Sequence, residues 1–438
     1  MNEKGNSSIS FSFCVTTISL MILAVLTVTI FSSLILNMNH TAIAQQEQQQ
    51  QEQPIINDPN LQAEIFVEGL SFPTSMAFID NNNILILEKE EGTVRLISNG
   101  ILQEQPVLKV DVNSNSERGL LGIAIMNNDM VFLYYTESSS SSEDNESLRN
   151  KVYKYQWNEE EKILVNPKLI LDLPAIPGPN HDGGKLTIGP DNYLYAVIGD
   201  LNHDGKLQNI VDGPQPDDTG VIFRVNPENG SQASDNPFAN SENNRYYAYG
   251  IRNSFGIDFD PVTGKLWDTE NGPQYGDEIN LVEPGFNSGW KQVMGPISKS
   301  NVIEDELVNF PGSKYADPVF SWLPSIGITD IEFLNSSKLG EKYSNNIFVG
   351  DIGAQTDGYL YYFQVNEDRT GIKFDSNNQI ELTDLIADNE EEMSAIALGT
   401  AFGGITDIET GPDGFLYILT VDRESDGEGK IYRLSSSQ

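Results

Sequence analysis

The sequence predicts an all-β protein, a six-bladed β-propeller made of four-stranded antiparallel blades. After residue 61 no stretch of this 438-residue chain keeps a helical period, and short apolar runs alternate with Gly, Pro, Asn and Asp. The runs recur as six similar units, which is typical of a closed or stacked repeat. The only cysteine is Cys14, so we expect a fold that protects its sheet edges by closing on itself, without disulfides.

The six units share one pattern. Each has an apolar strand, a Pro-Asp-Gly-like turn, a second strand with an early aromatic residue, a loop and a third strand of the type "GKIYRLSS". Two packed β-sandwiches are the structural alternative, but they would not produce six similar units. Equivalent positions, spaced by about 66 residues on average, are Phe78, Ile125, Ile188, Phe259, Phe333 and Thr410.

The units also locate individual strands. We expect third strands at "GTVRLI", "KVYKYQW", "GVIFRVNP", "DEINLVEPG", "GYLYYFQV" and "GKIYRLSS". First strands are expected near Met76, Ile123, Leu186, Ile257, Ile331 and Ile408.

The N-terminal residues 1–44 have the pattern of a signal peptide. Residues 9–37 carry almost no charge, and Ala42, Ile43 and Ala44 fit a small-x-small cleavage site. The apolar run is also long enough for a retained N-terminal anchor, so both interpretations stay open. In either case we expect an exported, extracytoplasmic protein whose contact with the membrane is limited to that anchor.

Residues 45–60 form a Gln-rich polar segment. It lacks the apolar residues that would offset the entropy of ordering, so we expect a disordered linker. The propeller domain is accordingly expected to span residues 61–438.

The charge balance restricts the partners. The chain has 64 Asp and Glu residues against 26 Lys and Arg residues, a formal net charge of −38. Such an acidic chain would be repelled by nucleic acid and by anionic lipid. The same carboxylates suit calcium, although most of them are expected simply to be solvated on the surface.

Three loops carry candidate chemistry. His181 stands in "PGPNHDGGKLTIGPD", where a neutral imidazole could take a proton or could be an incidental polar residue. Arg252 and Asn253 stand in an uncharged stretch, where the guanidinium could bind a carboxylate, bind a carbonyl oxygen or form a structural ion pair. The loop 269–290 combines carboxylates with a Gly-Pro turn, as calcium sites do. After the signal-like segment the chain has only two histidines, His181 and His203, and no cysteine. This is too few ligands for a typical His-rich zinc site.

Taken together and in this order, several segments resemble one known family. They are "GLSFPTSMAF", "ERGLLGIAI", "NHDGGKLTIGPDNYLYAVIGD", "SDNPF", "YGIRNSFGIDFDPVTGKLW", "ENGPQYGDEINLVEPGFNSGW" and "TDIETGPDGFLYIL". The similarity is to the soluble quinoprotein glucose dehydrogenase and aldose sugar dehydrogenase family, also called the glucose/sorbosone dehydrogenase family. It spans Gln62 to Leu434.

The resemblance implies a six-bladed propeller and a redox enzyme. It implies oxidation of a sugar or alcohol substrate, an aldose at its C1 hydroxyl giving a lactone, with pyrroloquinoline quinone (PQQ) and Ca²⁺ as cofactors and an external electron acceptor. By the same resemblance, His181 is the general base, and Glu117, Arg252 and Asn253 lie beside the cofactor. Lys185 is a further candidate cofactor-binding cation.

The resemblance also implies metal ligands. The backbone carbonyls of Gly272 and Pro273 match positions that hold the calcium beside the cofactor. Glu278 and Ser288 match positions of a further calcium site. The family usually has Tyr where Ser288 stands, so only a backbone carbonyl could carry over there.

The chain departs from the family where cations usually meet the three carboxylates of PQQ. Residues 349–363 contain no Lys or Arg, and Gly404 and Thr406 stand where arginines are usual. Lys185, Arg118 or Lys291 could replace those cations. Two alternatives therefore stay open: a family propeller that has lost PQQ and serves as a binding module, and a calcium-dependent lactonase-type hydrolase.

Overall fold

The computed structural model describes residues 53–138, 148–354, 356–374, 382–423 and 427–437. The predicted signal or anchor, residues 1–44, and most of the predicted linker lie outside the described residues. Within those residues, no helix is both long enough and apolar enough to cross a membrane.

Strands carry most of the regular structure in the described ranges. The first half of them are β1 (Ile55–Ile56), β2 (Leu61–Ser71), β3 (Pro73–Phe78), β4 (Asn83–Glu88), β5 (Thr93–Ser98), β6 (Ile101–Leu102), β7 (Leu108–Lys109), β8 (Leu120–Met126), β9 (Met130–Glu137), β10 (Arg149–Asn158), β11 (Ile163–Pro174), β12 (Leu186–Ile188), β13 (Leu194–Ile198), β14 (Val221–Val225) and β15 (Tyr246–Tyr249). The second half are β16 (Ser254–Phe259), β17 (Leu266–Glu270), β18 (Asp277–Val282), β19 (Phe286–Asn287), β20 (Lys314–Tyr315), β21 (Phe320–Trp322), β22 (Ile328–Phe333), β23 (Ile347–Asp351), β24 (Leu360–Val365), β25 (Ile372–Lys373), β26 (Ile386–Ala387), β27 (Ala397–Thr400), β28 (Gly404–Thr410), β29 (Leu416–Val421) and β30 (Glu428–Ser436).

The helical segments are short and lie between strands. The α-helix α1 spans Glu390–Ile396, and its N-cap residue Asn389 accepts a hydrogen bond from the Glu392 N–H at 3.0 Å. Short 3₁₀ segments cover Lys206–Gln208, Ile297–Lys299 and Glu304–Glu306. None of these segments interrupts the succession of strands.

The strands form six sheets, numbered here along the chain. Sheet 1 holds β3 to β7, sheet 2 holds β8 to β11, and sheet 3 has the order β12-β13-β14-β15-β19-β20. Sheet 4 has the order β16-β17-β18-β21-β26. Sheet 5 has the order β22-β23-β24-β27-β1, with β25 paired to β24. Sheet 6 has the order β28-β29-β30-β2.

The sheets follow one another in a closed ring. The first strand of each sheet contacts the first strand of the next, in the order β3, β8, β12, β16, β22 and β28, and β28 returns to β3. Each predicted equivalent position, from Phe78 to Thr410, lies in one of these inner strands. The described part of the chain is therefore an all-β propeller.

The hydrophobic core is divided into layers between neighbouring sheets. Leu85 and Leu96 of sheet 1 pack with Val131 and Leu133 of sheet 2, and corresponding layers join the other pairs, including sheets 6 and 1. Full burial of one such side chain stabilises the fold by about 1.5–3 kcal/mol as an upper estimate. The apolar alternation of each strand thus explains why a chain without disulfides in this region can close a ring.

Two parts of the predicted architecture need correction. Only sheets 2 and 6 have four strands; the others have five or six. The extra strands come from long loops, and some of them pair in parallel: β19 with both β15 and β20, and β26 with β21. Four-stranded antiparallel blades are therefore wrong for four of the six sheets, because loop segments extend the outer edges.

Regular structure in the described residues begins before residue 61. Ile55 and Ile56 form β1, which pairs with β27, and the buried Asp58 accepts hydrogen bonds from Lys342 and from the Tyr343 hydroxyl at 2.6 Å. These residues belong to the region that was predicted to be a disordered linker. Strand β2 then pairs with β30 and joins the start of the described chain to its end.

Candidate active site

The candidate site residues come together at one edge of the ring. The start of an inner strand and the end of the next, antiparallel strand lie at the same edge of a sheet. His181, Glu117 and Arg252 precede inner strands, whereas Asp200 and Gly272 follow second strands. The topology therefore brings loops that are far apart in sequence to a common mouth.

The backbone of His181 is held in an uncommon conformation. Its φ is +65°, in the left-handed region that is unfavourable for a residue with a Cβ. The His181 N–H donates a hydrogen bond to the Glu117 carboxylate at 2.8 Å, which offsets part of this strain. Gly199 packs so closely that a Cβ there would collide with the His181 carbonyl. The local chain thus fixes the direction in which the imidazole points.

The imidazole has a defined tautomer because of Asp200. Its Nδ1 lies 2.6 Å from the Asp200 Oδ1, and Asp200 also accepts hydrogen bonds from the Asn202 N–H and the Trp290 indole N–H, each at 2.7 Å. A carboxylate can only accept, so Nδ1 carries the proton and Nε2 keeps its lone pair. The His181 side chain is 13% exposed and that of Asp200 is 3% exposed, so water competes little for this bond.

Arg252 faces the free lone pair of His181. Its Nη2 lies 2.9 Å from His181 Nε2, and its Nη1 donates to the carbonyls of Asn271 at 2.8 Å and Gly272 at 3.1 Å. The guanidinium lies over the Trp290 ring, 5.3 Å from the centroid. Burial lowers its pKa, and its Nε is buried without a hydrogen-bond partner among the described residues. The Arg252 guanidinium therefore hydrogen-bonds only to neutral groups, and no ion pair with a described residue compensates its charge, although the carboxylates of Asp200 and Glu270 oppose the effect of burial on its pKa.

Glu117 and Asn253 connect two of the loops. The Glu117 Oε2 accepts from the His181 N–H and from the Asn253 Nδ2, the latter at 2.9 Å. The Asn253 Oδ1 in turn accepts from the Gly183 N–H at 3.3 Å. Both side chains thus hold the His181 loop against the Arg252 loop.

A cavity of about 640 Å³ opens in front of these groups. Its volume is in the range of small-molecule sites. Of the predicted residues, those that line it are His181, Glu117, Arg252, Asn253, Lys185 and Gly272.

The predicted replacement cations are already engaged. Lys185 is buried and pairs with Asp330 at 2.8 Å and with Asp407. Burial alone would lower its pKa, but these two carboxylates raise it well above its usual value. Arg118 donates to the backbone carbonyls of Ala175 and Pro177. Lys291 pairs with an exposed aspartate at 2.7 Å, and neither Arg118 nor Lys291 is among the residues that line the cavity.

The predicted calcium carbonyls lie in a tight turn at the cavity wall. The Gly272 N–H donates to Asp277 at 2.8 Å, and a Cβ at Gly272 would collide with the Tyr275 carbonyl. Pro273 is exposed beside the cavity. The carbonyl of Gly272 accepts from Arg252 but keeps a second lone pair, so the turn offers a hard oxygen donor.

Glu278 and Ser288 lie in a buried acidic cluster behind this turn. The Ser288 hydroxyl donates to Glu270 at 2.6 Å and lies 3.5 Å from Glu278. Both carboxylate oxygens of the buried Asp268 lack a partner among the described residues. Burial raises the pKa of Glu270 to about 7 and raises those of Asp268 and Glu278. Nevertheless, the described residues contain no group of three or more His, Cys, Asp or Glu side chains arranged to hold a metal ion.

Sequence reasoning missed four residues of this region. Asp200 and Trp290 orient His181 and Arg252, and Lys89 and Arg423 line the cavity. Asp200 ends the run "AVIGD", where an acid directly after a buried strand could have been noticed. The sequence carries no comparable signal for Trp290, Lys89 or Arg423, because their positions depend on the closure of the ring.

Comparisons with known proteins identify the family to which the chain belongs. The family model for glucose/sorbosone dehydrogenase matches residues 70–433. The aldose sugar dehydrogenase of Escherichia coli is 27% identical over 375 residues, which cover 84% of this chain and 91% of that protein. Quinoprotein glucose dehydrogenase B of Acinetobacter calcoaceticus is 29% identical over 260 residues, 54% of this chain and 53% of that one.

A solved structure supports the fold independently. The PQQ-bound form of an aldose sugar dehydrogenase from Streptomyces coelicolor superimposes with a TM-score of 0.61 at 21% identity, covering 86% of this chain and 99% of that chain. Because the family model matches most of the chain, and the relatives are named as sugar dehydrogenases, the expected family is confirmed. The chain belongs to the glucose/sorbosone dehydrogenase family, a family of oxidoreductases.

Proposed function

We propose that this protein is a PQQ- and calcium-dependent dehydrogenase that oxidises an aldose at its C1 hydroxyl to the lactone. The proposal includes a propeller of six blades, one for each of the six sheets. The observation that carries it is the His181 imidazole at the cavity wall, with Nδ1 protonated by pairing with Asp200 and Nε2 unprotonated. That arrangement is what a general base for a sugar hydroxyl requires.

The residues around the cavity fit an anionic planar cofactor. Among the described residues, the Arg252 guanidinium lines the cavity without an ion pair, and its buried Nε has no hydrogen-bond partner. Arg252 and Asn253 would face the quinone oxygens, with Glu117 supporting both loops, and the Gly272 and Pro273 carbonyls would hold the calcium. When bound, PQQ supplies an ortho-quinone that accepts a hydride.

Side chains of the protein itself accept the proton that leaves the substrate hydroxyl. His181 Nε2 accepts the proton of the C1 hydroxyl while the hydrogen on C1 leaves with its electron pair and the C1–O bond becomes a carbonyl. Asp200 stabilises the imidazolium that forms, since its Oδ1 lies 2.6 Å from Nδ1. The Arg252 Nη2, now 2.9 Å from Nε2, must give way to the substrate hydroxyl at this position. Its remaining bonds to the Asn271 and Gly272 carbonyls keep the guanidinium in the cavity.

The test is a reconstitution. The purified protein is loaded with PQQ and Ca²⁺, and reduction of an artificial dye is measured with a panel of aldoses. We expect turnover with at least one aldose, dependent on both PQQ and Ca²⁺. Tight PQQ binding without turnover on any aldose or simple alcohol would overturn the proposed reaction, and absence of PQQ binding would overturn the cofactor.

Export and the external electron acceptor belong to the same proposal. The support is the signal-like pattern of residues 1–44, which lies outside the described residues. N-terminal sequencing of protein recovered from outside the cytoplasm should start near Gln45; an intact Met1 on extracytoplasmic protein would favour the anchor. No specific observation favours the binding module or the lactonase-type hydrolase.

A further inference from the structure

The cations of the cavity divide into paired and unpaired groups. Lys185 is neutralised by two carboxylates. Lys89 and Arg423 also line the cavity, and no ion pair joins either of them to a carboxylate of the described residues. In a chain with 64 acidic residues and 26 basic ones, most cations are expected to pair with a carboxylate, so a cation that faces a cavity without such a partner among the described residues calls for an explanation.

Lys89 is half-buried, with little to compensate its charge. It follows β4, and its amine makes one long hydrogen bond, 3.4 Å to the Ser114 carbonyl. Burial lowers its pKa from the usual 10.5, although the more distant carboxylates of Glu90, Glu117 and Asp182 oppose this. A partly desolvated ammonium without a direct counter-ion is unfavourable, and an incoming anion would relieve that cost.

Arg423 is exposed at the same mouth. It follows β29, and its guanidinium makes no hydrogen bond or ion pair to any described residue. A free guanidinium presents a planar fork of N–H donors that matches a carboxylate.

The two cations lie near each other. The Lys89 N–H donates to the Phe72 carbonyl at 3.0 Å, and the Phe72 N–H donates to the Gly427 carbonyl at 2.7 Å. Phe72 thus joins the loop after β4 to the turn after β29. Lys89 belongs to sheet 1, whereas Gly272 belongs to sheet 4, which is reached through two intervening sheets in either direction around the ring. Lys89 and Arg423 therefore stand across the mouth from Arg252 and Gly272.

The wall between these two sides supplies no cation. Apart from Arg423 itself, sheets 5 and 6 contribute only uncharged residues to the lining: Gly327, Ile328, Thr329, Ile352, Ala354, Thr406 and Val421. This part of the lining is where the sequence lacks the Lys and Arg residues that a tricarboxylate would need.

We propose that Lys89 and Arg423 bind carboxylates of the quinone cofactor at the side of the cavity opposite Arg252. This inference rests on the proposed function, because it needs PQQ as the ligand. The two cations would replace those missing from residues 349–363, Gly404 and Thr406. They make contact with the cofactor and take no part in proton transfer.

The experiment measures the Kd of PQQ, with Ca²⁺ present, by quenching of tryptophan fluorescence in the full-length protein. We expect Lys89→Gln to raise Kd by about tenfold or more, and Arg423→Gln, which is more screened by solvent, by about threefold to tenfold. Lys89→Arg, which keeps the charge, should bind better than Lys89→Gln. The log–log dependence of Kd on salt should be shallower in both Gln variants.

Matched controls separate a local effect from a general loss of charge. Lys168→Gln removes an exposed lysine from β11, and Arg149→Gln removes a partly exposed arginine from β10 that pairs with Asp172 at 2.8 Å. Both should keep Kd within about twofold of the parent, and the circular dichroism and Tm of each variant report on folding. PQQ trimethyl ester, which lacks the negative charges, should bind the parent and Lys89→Gln about equally.

The outcomes distinguish this inference from the function on which it rests. If the parent binds PQQ and both Gln variants bind it as tightly as the controls, the inference is wrong and the proposed function stands. If the parent does not bind PQQ, the proposed function is wrong, and the inference, which depends on PQQ binding, is wrong as well.

Discussion

The two sides of the cavity differ in how far their polar groups are already paired. On the reactive side, formed by His181, Asp200, Arg252 and Trp290, each side chain is held by another at 2.6–2.9 Å or by ring stacking. On the open side, Lys89 and Arg423 have no carboxylate partner among the described residues. The difference indicates that the protein preorganises the groups that take part in the reaction. The cations of the open side, in contrast, gain a charged partner only when the ligand binds.

The largest effect should come from removing the base on the reactive side. His181→Ala should lower kcat by about 10²–10⁴-fold with the aldose that the parent oxidises, because no other histidine of the described residues lines the cavity. The PQQ Kd and the Tm should change little. An unchanged kcat with saturating cofactor would show that His181 is not the base. It would also contradict the assignment of the reaction to one side of the cavity and of binding to the other.

A second variant pair contrasts a paired cation with an unpaired one. Lys185→Met leaves Asp330 and Asp407 buried without their counter-ion, so it should lower the free energy of unfolding by about 3–5 kcal/mol. Lys89→Met removes a cation without a carboxylate partner and should change it by less than about 1 kcal/mol. Urea denaturation of both variants gives the values. Equal losses would show that Lys89 also has a structural role.

The tautomer of His181 should depend on Asp200. Asp200→Asn can present an N–H to Nδ1, which moves the imidazole proton to Nε2 and removes the acceptor. We expect kcat to fall on the order of 10²-fold while the PQQ Kd and the KM stay near those of the parent. A rise in Kd or KM of similar size would instead indicate that Asp200 only maintains the shape of the cavity.

Asp182, directly after His181, should make stability depend on pH. Its carboxyl is fully buried, and burial raises its pKa from 3.8 to about 6. A raised folded-state pKa gives stability that is present below about pH 4 and is lost as the pH rises through about 6. Asp182→Asn should therefore flatten the fall in unfolding free energy between pH 4 and 7, by about 1–2 kcal/mol. If the unfolding free energy measured by urea denaturation falls with pH as steeply in Asp182→Asn as in the parent, this prediction is wrong.

The smallest expected effect is at Trp290. Trp290→Phe keeps an aromatic ring beside Arg252 but removes the indole N–H that Asp200 accepts at 2.7 Å. One lost hydrogen bond should lower kcat by about threefold to tenfold. Trp290→His, which keeps a ring N–H, should lower kcat less than Trp290→Phe does. If Trp290→His lowers kcat more, the stacking area of the ring matters more than the hydrogen bond.

Much of the fold was predictable because its signals are local. Alternating apolar residues and Gly- or Asp-containing turns located all six inner strands, from β3 to β28. The short strands β19 and β26 could not be predicted, since two residues carry no periodicity and their pairing is set by distant strands. Strand β1 was missed because the Gln-rich residues before it suggested a continuous linker.

The site was predictable where a residue type and its loop carry the signal. His181, Arg252 and Gly272 stand in distinctive Gly-rich loops, and the structure brings them to one cavity. The role of Lys185 could not be judged from the sequence, because its partners Asp330 and Asp407 lie 145 and 222 residues away. Lys89 was overlooked for the converse reason, since the lack of a carboxylate partner among the described residues is a property of the folded ring.

The proposed role of His181 is to take a proton from the sugar beside a bound quinone. Its most direct test is a single turnover without oxygen, in which the PQQ- and Ca²⁺-loaded protein is mixed with excess aldose and the absorption of the cofactor is followed by stopped flow. We expect stoichiometric reduction in the parent, slowed by about 10²–10⁴-fold in His181→Gln at equal cofactor occupancy. Equal rates in the two proteins, or no reduction in a parent that has bound the cofactor, would contradict it.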